Sequence, residues 1–144
     1  MSNKITQFIG KYRFLSNFWK CSVEMGHVIY PSVEHAYQAA KTLIKEERNA
    51  IKNADAPGKV KRLGQSVTLR PNWEKIKILI MKKLVREKFK EPNLRIKLLR
   101  TSPAKLIEGN WWNDTFWGVC KGIGQNHLGK ILMEIRNEII KNKK

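Results

Sequence analysis

The order of apolar and polar positions divides the chain into short elements punctuated by proline and glycine. Ile5 to Gly10 predicts a short strand leading into Tyr12-Arg13-Phe14-Leu15-Ser16-Asn17-Phe18-Trp19, where aromatics alternate with Arg, Ser and Asn. Cys21 to Met25 and His27 to Tyr30 predict a β-hairpin turning near Gly26. Pro31 disfavours helix in the residue before it, Ser32 is a natural N-cap, and Ala-rich sequence follows, so a helix is expected from Val33. Val33, Ala36, Ala40 and Ile44 form its apolar stripe, with Tyr37 at the border. Lys45 to Ala54 continues this helix or forms a second one, Ala56-Pro57-Gly58 breaks it, and Lys59 to Val67 is a basic helix or loop, either a solvated charge run or a phosphate contact. Asn72 is expected to cap the longest helix, Trp73 to about Lys90. Its inner stripe is Trp73, Ile76, Ile80 and Leu84, joined by Leu79 and Phe89. A short helix to Arg100 ends at Thr101-Ser102-Pro103, and Ala104 to Glu108 reads as extended. Asn126 is expected to cap a terminal helix reaching about Lys141, with Leu128, Ile131, Leu132, Ile135 and Ile139 inward.

Composition narrows the class. The 144 residues give room for one domain, 1–144, with a real core, and 42% apolar content with five Trp excludes wholesale disorder. No apolar run approaches the roughly 18 residues of a membrane span, and no apolar stretch suited to a signal peptide follows the N-terminal lysine. Cys21 and Cys120 are isolated, as expected of reduced thiols in a cytoplasmic protein. With three scattered histidines, no metal site is expected, and no cofactor either. The formal charge of +17 points to a polyanionic partner, a nucleic acid or nucleotide, without locating a site.

Two stretches carry the candidate chemistry. At about 100° per residue, Glu34, Gln38 and Lys41 fall within roughly 60° of one another on the helix that follows Ser32. This row presents a carboxylate, a carboxamide and an amine, although a surface helix with a Glu–Lys relationship has the same spacing. The second stretch is Glu108-Gly109-Asn110-Trp111-Trp112-Asn113-Asp114-Thr115-Phe116-Trp117-Gly118, without a clean helical or strand period. Tryptophan in a loop packs against the body or a ligand, and beside a carboxylate a ligand-facing role is favoured. Gly122-Ile123-Gly124-Gln125-Asn126-His127-Leu128-Gly129 then enters a helix N-terminus, where free backbone N–H groups and the positive dipole end suit a phosphate. His127 occupies the third glycine position of a dinucleotide-binding fingerprint, so that motif is absent.

Together these pieces resemble the NADAR family, the YbiA-like domain. The resemblance rests on Phe14-Leu15-Ser16-Asn17-Phe18, on Tyr30 to Lys41, on Asp114 with Trp117-Gly118, and on Gly124 to Gly129, extended by Met133 and Arg136. It implies an α+β fold, a mainly helical compact domain with a small β-hairpin or sheet. It also implies N-glycosidic bond cleavage on ribosylated or ADP-ribosylated compounds, either phosphoribosylated intermediates of riboflavin synthesis or ADP-ribose linked to guanine in DNA. Breaking a C1′–N bond builds positive charge at C1′ and electron density on the departing base. Glu34 is the first candidate for the carboxylate at the sugar and Asp114 the second. Lys41 either attacks C1′ of an opened ribose, forming a Schiff base, or pairs with substrate phosphate or with Glu34. Trp112 or Trp117 would stack on the base, Ser16 and Asn17 would hold ribose hydroxyls, and the turn from Gly122 to Asn126 would sit near the diphosphate. Arg13, Gln38, Gly118, Gly124 and Asn126 complete the expected substrate contacts.

The +17 charge favours removal of ADP-ribose from modified guanine in DNA, since a small-metabolite enzyme has no need of so strong a field. A glycosidase acting on riboflavin-synthesis intermediates is the alternative. A binding module for ADP-ribose or NAD, which needs the aromatic walls but not the Glu34–Lys41 pair, is the third.

Overall fold

The computed structural model describes residues 3–142. In chain order the elements are β1 (Lys4–Ile5), a 3-10 helix (Gly10–Leu15), β2 (Val23–Met25), β3 (Val28–Tyr30), α1 (Val33–Ala40), α2 (Lys45–Lys52), α3 (Pro57–Gln65), α4 (Trp73–Lys88), α5 (Pro92–Arg100), β4 (Lys105–Leu106), β5 (Gly109–Asn110), β6 (Val119–Cys120) and α6 (His127–Asn142). The fold is α+β and mainly helical, with three two-stranded sheets. The chain divides into two compact units, one running from Asn17 to Lys88 and the other joining the segment up to Ser16 with the chain from Phe89 onward.

In the unit from Asn17 to Lys88, β2 and β3 form the expected antiparallel hairpin, with Val23 opposite Tyr30 and Met25 opposite Val28. Gly26 and His27 both have positive φ, 58° and 65°, which is the backbone that a tight hairpin turn demands. Ser32 caps α1: its hydroxyl accepts from the His35 amide at 3.1 Å and meets His35 Nδ1 at 2.6 Å. The other imidazole nitrogen faces the Ala54 carbonyl at 2.9 Å, and a carbonyl only accepts, so the ring proton sits on Nε2. α1 packs against α2, α3, α4 and both hairpin strands, and of its residues all but His35 are buried.

Several expectations are corrected here. α1 stops at Ala40, so Ile44 leaves the apolar stripe and instead precedes α2, 39% exposed. The helix breaks before Pro57 as expected, at Lys52, but Pro57 then opens α3 at its first turn, where the N–H that proline lacks would be unpaired anyway. Asn72 lies in left-handed backbone at φ 62°, and its main-chain carbonyl accepts from Lys75 and Ile76 at the start of α4. The buried side of α4 is Trp73, Met81, Leu84, Val85 and Lys88, whereas Leu79 is 63% exposed. The inner face is thus turned toward Met81 and Val85, and it carries a lysine.

In the other unit, β1 pairs parallel with β4 and β5 pairs parallel with β6. The expected strand at Ile5 to Gly10 shrinks to β1, and Gly10 turns instead into the 3-10 helix. α6 packs on α5 and β4 through Leu128, Ile131, Leu132 and Ile135, as expected, with Ile139 only half-buried. Each such side chain contributes about 1.5–3 kcal/mol of burial. Arg136 joins this buried face and donates from Nη1 to the Thr101 hydroxyl at 2.9 Å. Among the described residues no helix is long and apolar enough to cross a membrane.

Candidate functional site

Glu34 and Gln38 of the row lie in the core of their unit, and Lys41 at the end of the helix is half-buried. Glu34 and Gln38 are 8% and 7% exposed, and Gln38 Nε2 donates to Glu34 Oε2 at 2.6 Å. An ionised carboxylate only accepts, so the amide nitrogen must be the end that faces it. Such charge-assisted contacts are short and roughly twice as strong as neutral ones. Gln38 Oε1 is left buried without a hydrogen-bond partner. It rests against Gly64 of α3, where a Cβ would stand 2.6 Å from the amide carbon of Gln38. The glycine therefore shapes the space that the amide occupies. From the start of the helix, the Glu34 amide donates to the Asn17 carbonyl at 2.9 Å, which ties that residue to the base of the row.

Lys41 follows α1 as its C-cap. The Arg70 amide donates to the Lys41 carbonyl at 2.7 Å and its guanidinium to the Ala40 carbonyl at 3.3 Å, placing a cation at the negative end of α1. The Lys41 ammonium lies 5.8 Å from the centroid of Tyr37, whose ring packs on Trp73 at 5.3 Å. Burial pulls the amine below the usual lysine range; the Glu34 carboxylate opposes the drop, Lys77 adds to it, and Glu74 opposes it. A less protonated amine beside a fixed carboxylate can act as a nucleophile or as a proton carrier.

Of the remaining expected contacts, Arg13 is exposed within the 3-10 helix and Ser16 is its C-cap. Asn17 is half-buried, and its side-chain amide points to the Met81 sulfur at 3.5 Å.

The tryptophan-rich loop, in the unit that contains α6, is built around Asn110. Its amide nitrogen donates to the Asp114 carbonyl and to the Glu108 carboxylate, both at 2.9 Å, and its oxygen accepts from the Asp114 amide at 3.1 Å. Asp114 Oδ1 in turn accepts from the Phe116 and Trp117 amides at 3.1 and 2.8 Å. This carboxylate organises the turn, which distinguishes it from Glu34. Trp117 is half-buried and meets Phe116 edge-on at 4.8 Å, and Phe116 packs on His127 at 4.5 Å. Trp112 is 45% exposed.

The glycine-rich turn departs from expectation. The amides of Gln125, Asn126, His127 and Leu128 donate to the carbonyls of Thr115, Gly118, Phe116 and Trp117. The free N–H groups that made this turn attractive for a phosphate are thus consumed inside the fold. Asn126 does not cap α6: its amide bridges backward, accepting from Glu108 N at 2.9 Å and donating to the Leu106 carbonyl at 3.0 Å. Gly129 makes room for that side chain, since a Cβ there would stand 2.5 Å from Asn126 Oδ1. Gly118 is equally confined, 2.8 Å from Asn110 Nδ2 at the Cβ position, and Gly124 takes φ 153° against the Gly118 backbone.

Sequence reasoning missed Gly64, Arg70 and Asn110. Only Gly64 left a signal, a lone glycine inside a helical segment, which marks close packing. Among the described residues no group of three or more His, Cys, Asp or Glu could hold a metal ion.

Comparison with known proteins places this geometry. The NADAR domain profile matches residues 6–140. The chain is 39% identical over 132 residues to the N-glycosidase YbiA of Escherichia coli, covering 89% of this chain and 82% of that protein. It is 35% identical over 130 residues to a riboflavin biosynthesis protein of Vibrio vulnificus, covering 88% of this chain and 35% of that protein. The NMR structure of Escherichia coli YbiA superposes with a TM-score of 0.86 at 37% identity, covering 99% of this chain and 89% of that one. A profile match over nearly the whole chain, a full-length relative and a shared fold agree, and the chain belongs to the NADAR family.

Proposed function

We propose that this chain hydrolyses the bond between ribose C1′ and a base nitrogen. The observation that carries the reading is the buried Glu34 carboxylate, fixed by Gln38, on the same helix as a lysine whose amine burial makes easier to deprotonate. The relatives named N-glycosidase support the same reaction class. As the C1′–N electron pair leaves with the base, positive charge grows at C1′ and Glu34 stabilises it. In the direct route water adds its oxygen to C1′, one proton passes through Glu34 and the departing nitrogen takes up a proton. In the covalent route the neutral Lys41 amine takes the place of the base at C1′, the ribose opens, and water hydrolyses the imine to regenerate the amine.

The substrate we favour is ADP-ribose linked to guanine in DNA, because a +17 chain attracts a polyanion. A second reading, a phosphoribosylated intermediate of riboflavin synthesis, is favoured by the names of relatives from Vibrio vulnificus and Zea mays. Chromatography of products separates them. Wild type should release free ADP-ribose from the modified DNA, less so as salt rises, and Glu34→Gln should not. Cleavage of only the phosphoribosylated pyrimidine would move the chain to the second reading. Binding of ADP-ribose with neither cleavage would overturn the enzyme assignment.

A further inference from the structure

Trp111 is the most exposed large apolar side chain among the described residues, at 76%, and it meets Trp112 edge-on at 4.9 Å. The parallel register of β5 and β6 ends with Asn110 paired to Cys120, and Trp111 and Lys121 each follow directly on a residue of that last pair. Lys121 and Gly122 form a tight turn, both at positive φ (52° and 77°), closed by the reciprocal hydrogen bonds between Cys120 and Ile123. Beyond the turn stands Ile123, 69% exposed. Two indole rings, an isoleucine and a lysine at a turn tip thus share one end of a small sheet. Trp111, Lys121 and Ile123 are not members of the Glu34 row.

The charge of the unit that carries this patch decides what covers it. The unit that carries it has fourteen Lys and Arg against five Asp and Glu. The two acids nearest in sequence, Glu108 and Asp114, both accept hydrogen bonds from the loop itself, from Asn110 and from the Phe116 and Trp117 amides. An exposed flat ring on a unit with this excess of positive charge matches a single strand of nucleic acid, in which unpaired bases stack and phosphates meet lysine. An apolar protein partner would leave that excess of positive charge unmatched.

We infer that Trp111, with Trp112 and the Lys121–Gly122 tip, is a docking surface for single-stranded nucleic acid, on which unpaired bases stack. The inference rests on the DNA reading above and extends it: DNA presented for chemistry on a base has unpaired, unstacked bases.

The test uses the full chain and an unmodified 12-residue oligodeoxythymidylate carrying a fluorophore, so no cleavage is involved. Wild type should bind with strong salt dependence. Trp111→Ala should weaken binding by about 5- to 150-fold, the value of one base–aromatic stack, and Trp111→Phe should recover much of it. Lys121→Ala should lower the slope of log affinity against log salt by about 0.7. Circular dichroism and thermal melting of each variant show whether the fold is kept. Equal binding by folded Trp111→Ala, or no binding by wild type, would overturn the inference even if ADP-ribose were still released from a modified mononucleotide. Loss of a wild-type dimer in Trp111→Ala, with oligonucleotide binding unchanged, would make the patch an interface between copies instead.

Discussion

Gly64→Ala tests the Glu34–Gln38–Lys41 row from a neighbouring helix, through Gln38. A methyl at this position would intrude on the Gln38 amide, 2.6 Å from its Cδ and 3.1 Å from its Cβ. Gln38 is buried and cannot swing into solvent, so the amide must move off the Glu34 carboxylate. That movement breaks the 2.6 Å hydrogen bond to a charged acceptor, worth about 1.5–3 kcal/mol. If that bond positions Glu34 for C1′, kcat/KM falls by about 10- to 150-fold. The helix itself gains about 1 kcal/mol from replacing glycine, which offsets only part of the overpacking cost of about 1–3 kcal/mol and of the lost bond, so the folded state should also lose about 1.5–5 kcal/mol and activity is compared at a temperature where the variant is fully folded. The decisive comparison is a double-mutant cycle scored by steady-state release of ADP-ribose. In a Gln38→Ala background the intruding methyl meets no amide, so Gly64→Ala should cost almost nothing further. Equal reductions in both backgrounds, or a single mutant within about threefold of wild type, would refute the positioning role of Gln38.

Other outcomes follow from the same geometry. Burial pushes Lys88 down to about 7, while an unfolded lysine keeps its proton to about 10.5. The unfolded chain therefore binds more protons above pH 7, and the free energy of unfolding should rise with pH by at most about 1.4 kcal/mol per unit. Urea unfolding at pH 6.5, 7.5 and 8.5 should show this rise in wild type and a flatter profile in Lys88→Met; a flat wild-type profile would contradict it. If Lys41 is the nucleophile, cyanoborohydride added during turnover should fix a ribosyl mass on wild type and none on Lys41→Arg, read by intact-mass spectrometry. Asn126→Ala removes the bridge between Leu106 and Glu108 and orphans the Glu108 amide, a destabilisation of about 2–4 kcal/mol that denaturant titration would register.

What can be read from sequence is set by the range of the interaction. Ser32, the Gly26 turn and α2 are legible because caps, turns and helical stripes are local. The Glu34–Gln38–Lys41 row is legible as spacing, but its burial is not, because that depends on α2, α3, α4 and the hairpin closing over α1. Lys88 illustrates the same limit. A lysine counts as solvent-facing in any periodicity reading, so the pattern puts the inner face of α4 on Ile76, Ile80 and Leu79 instead of turning it toward Met81 and Val85. The glycine-rich turn misleads for another reason: amides are free to bind phosphate only if the chain has not already supplied carbonyls, and Thr115 to Gly118 supply them. Two-residue strands such as β5 and β6 carry no alternation and leave no signal.

The lacing of residues 125–128 onto the carbonyls of 115–118 has a consequence for how the chain tolerates change. It closes the intervening segment at its base, so the Lys121–Gly122 tip hangs from a stem that does not depend on the tip's own length. Lengthening such a closed loop costs only about 0.6 kcal/mol for each doubling. Extra residues, a label or a recognition peptide inserted between Lys121 and Gly122 should leave α6 in place while giving up the nucleic-acid contact inferred for the tip, so the stem tolerates an insertion that the docking surface does not.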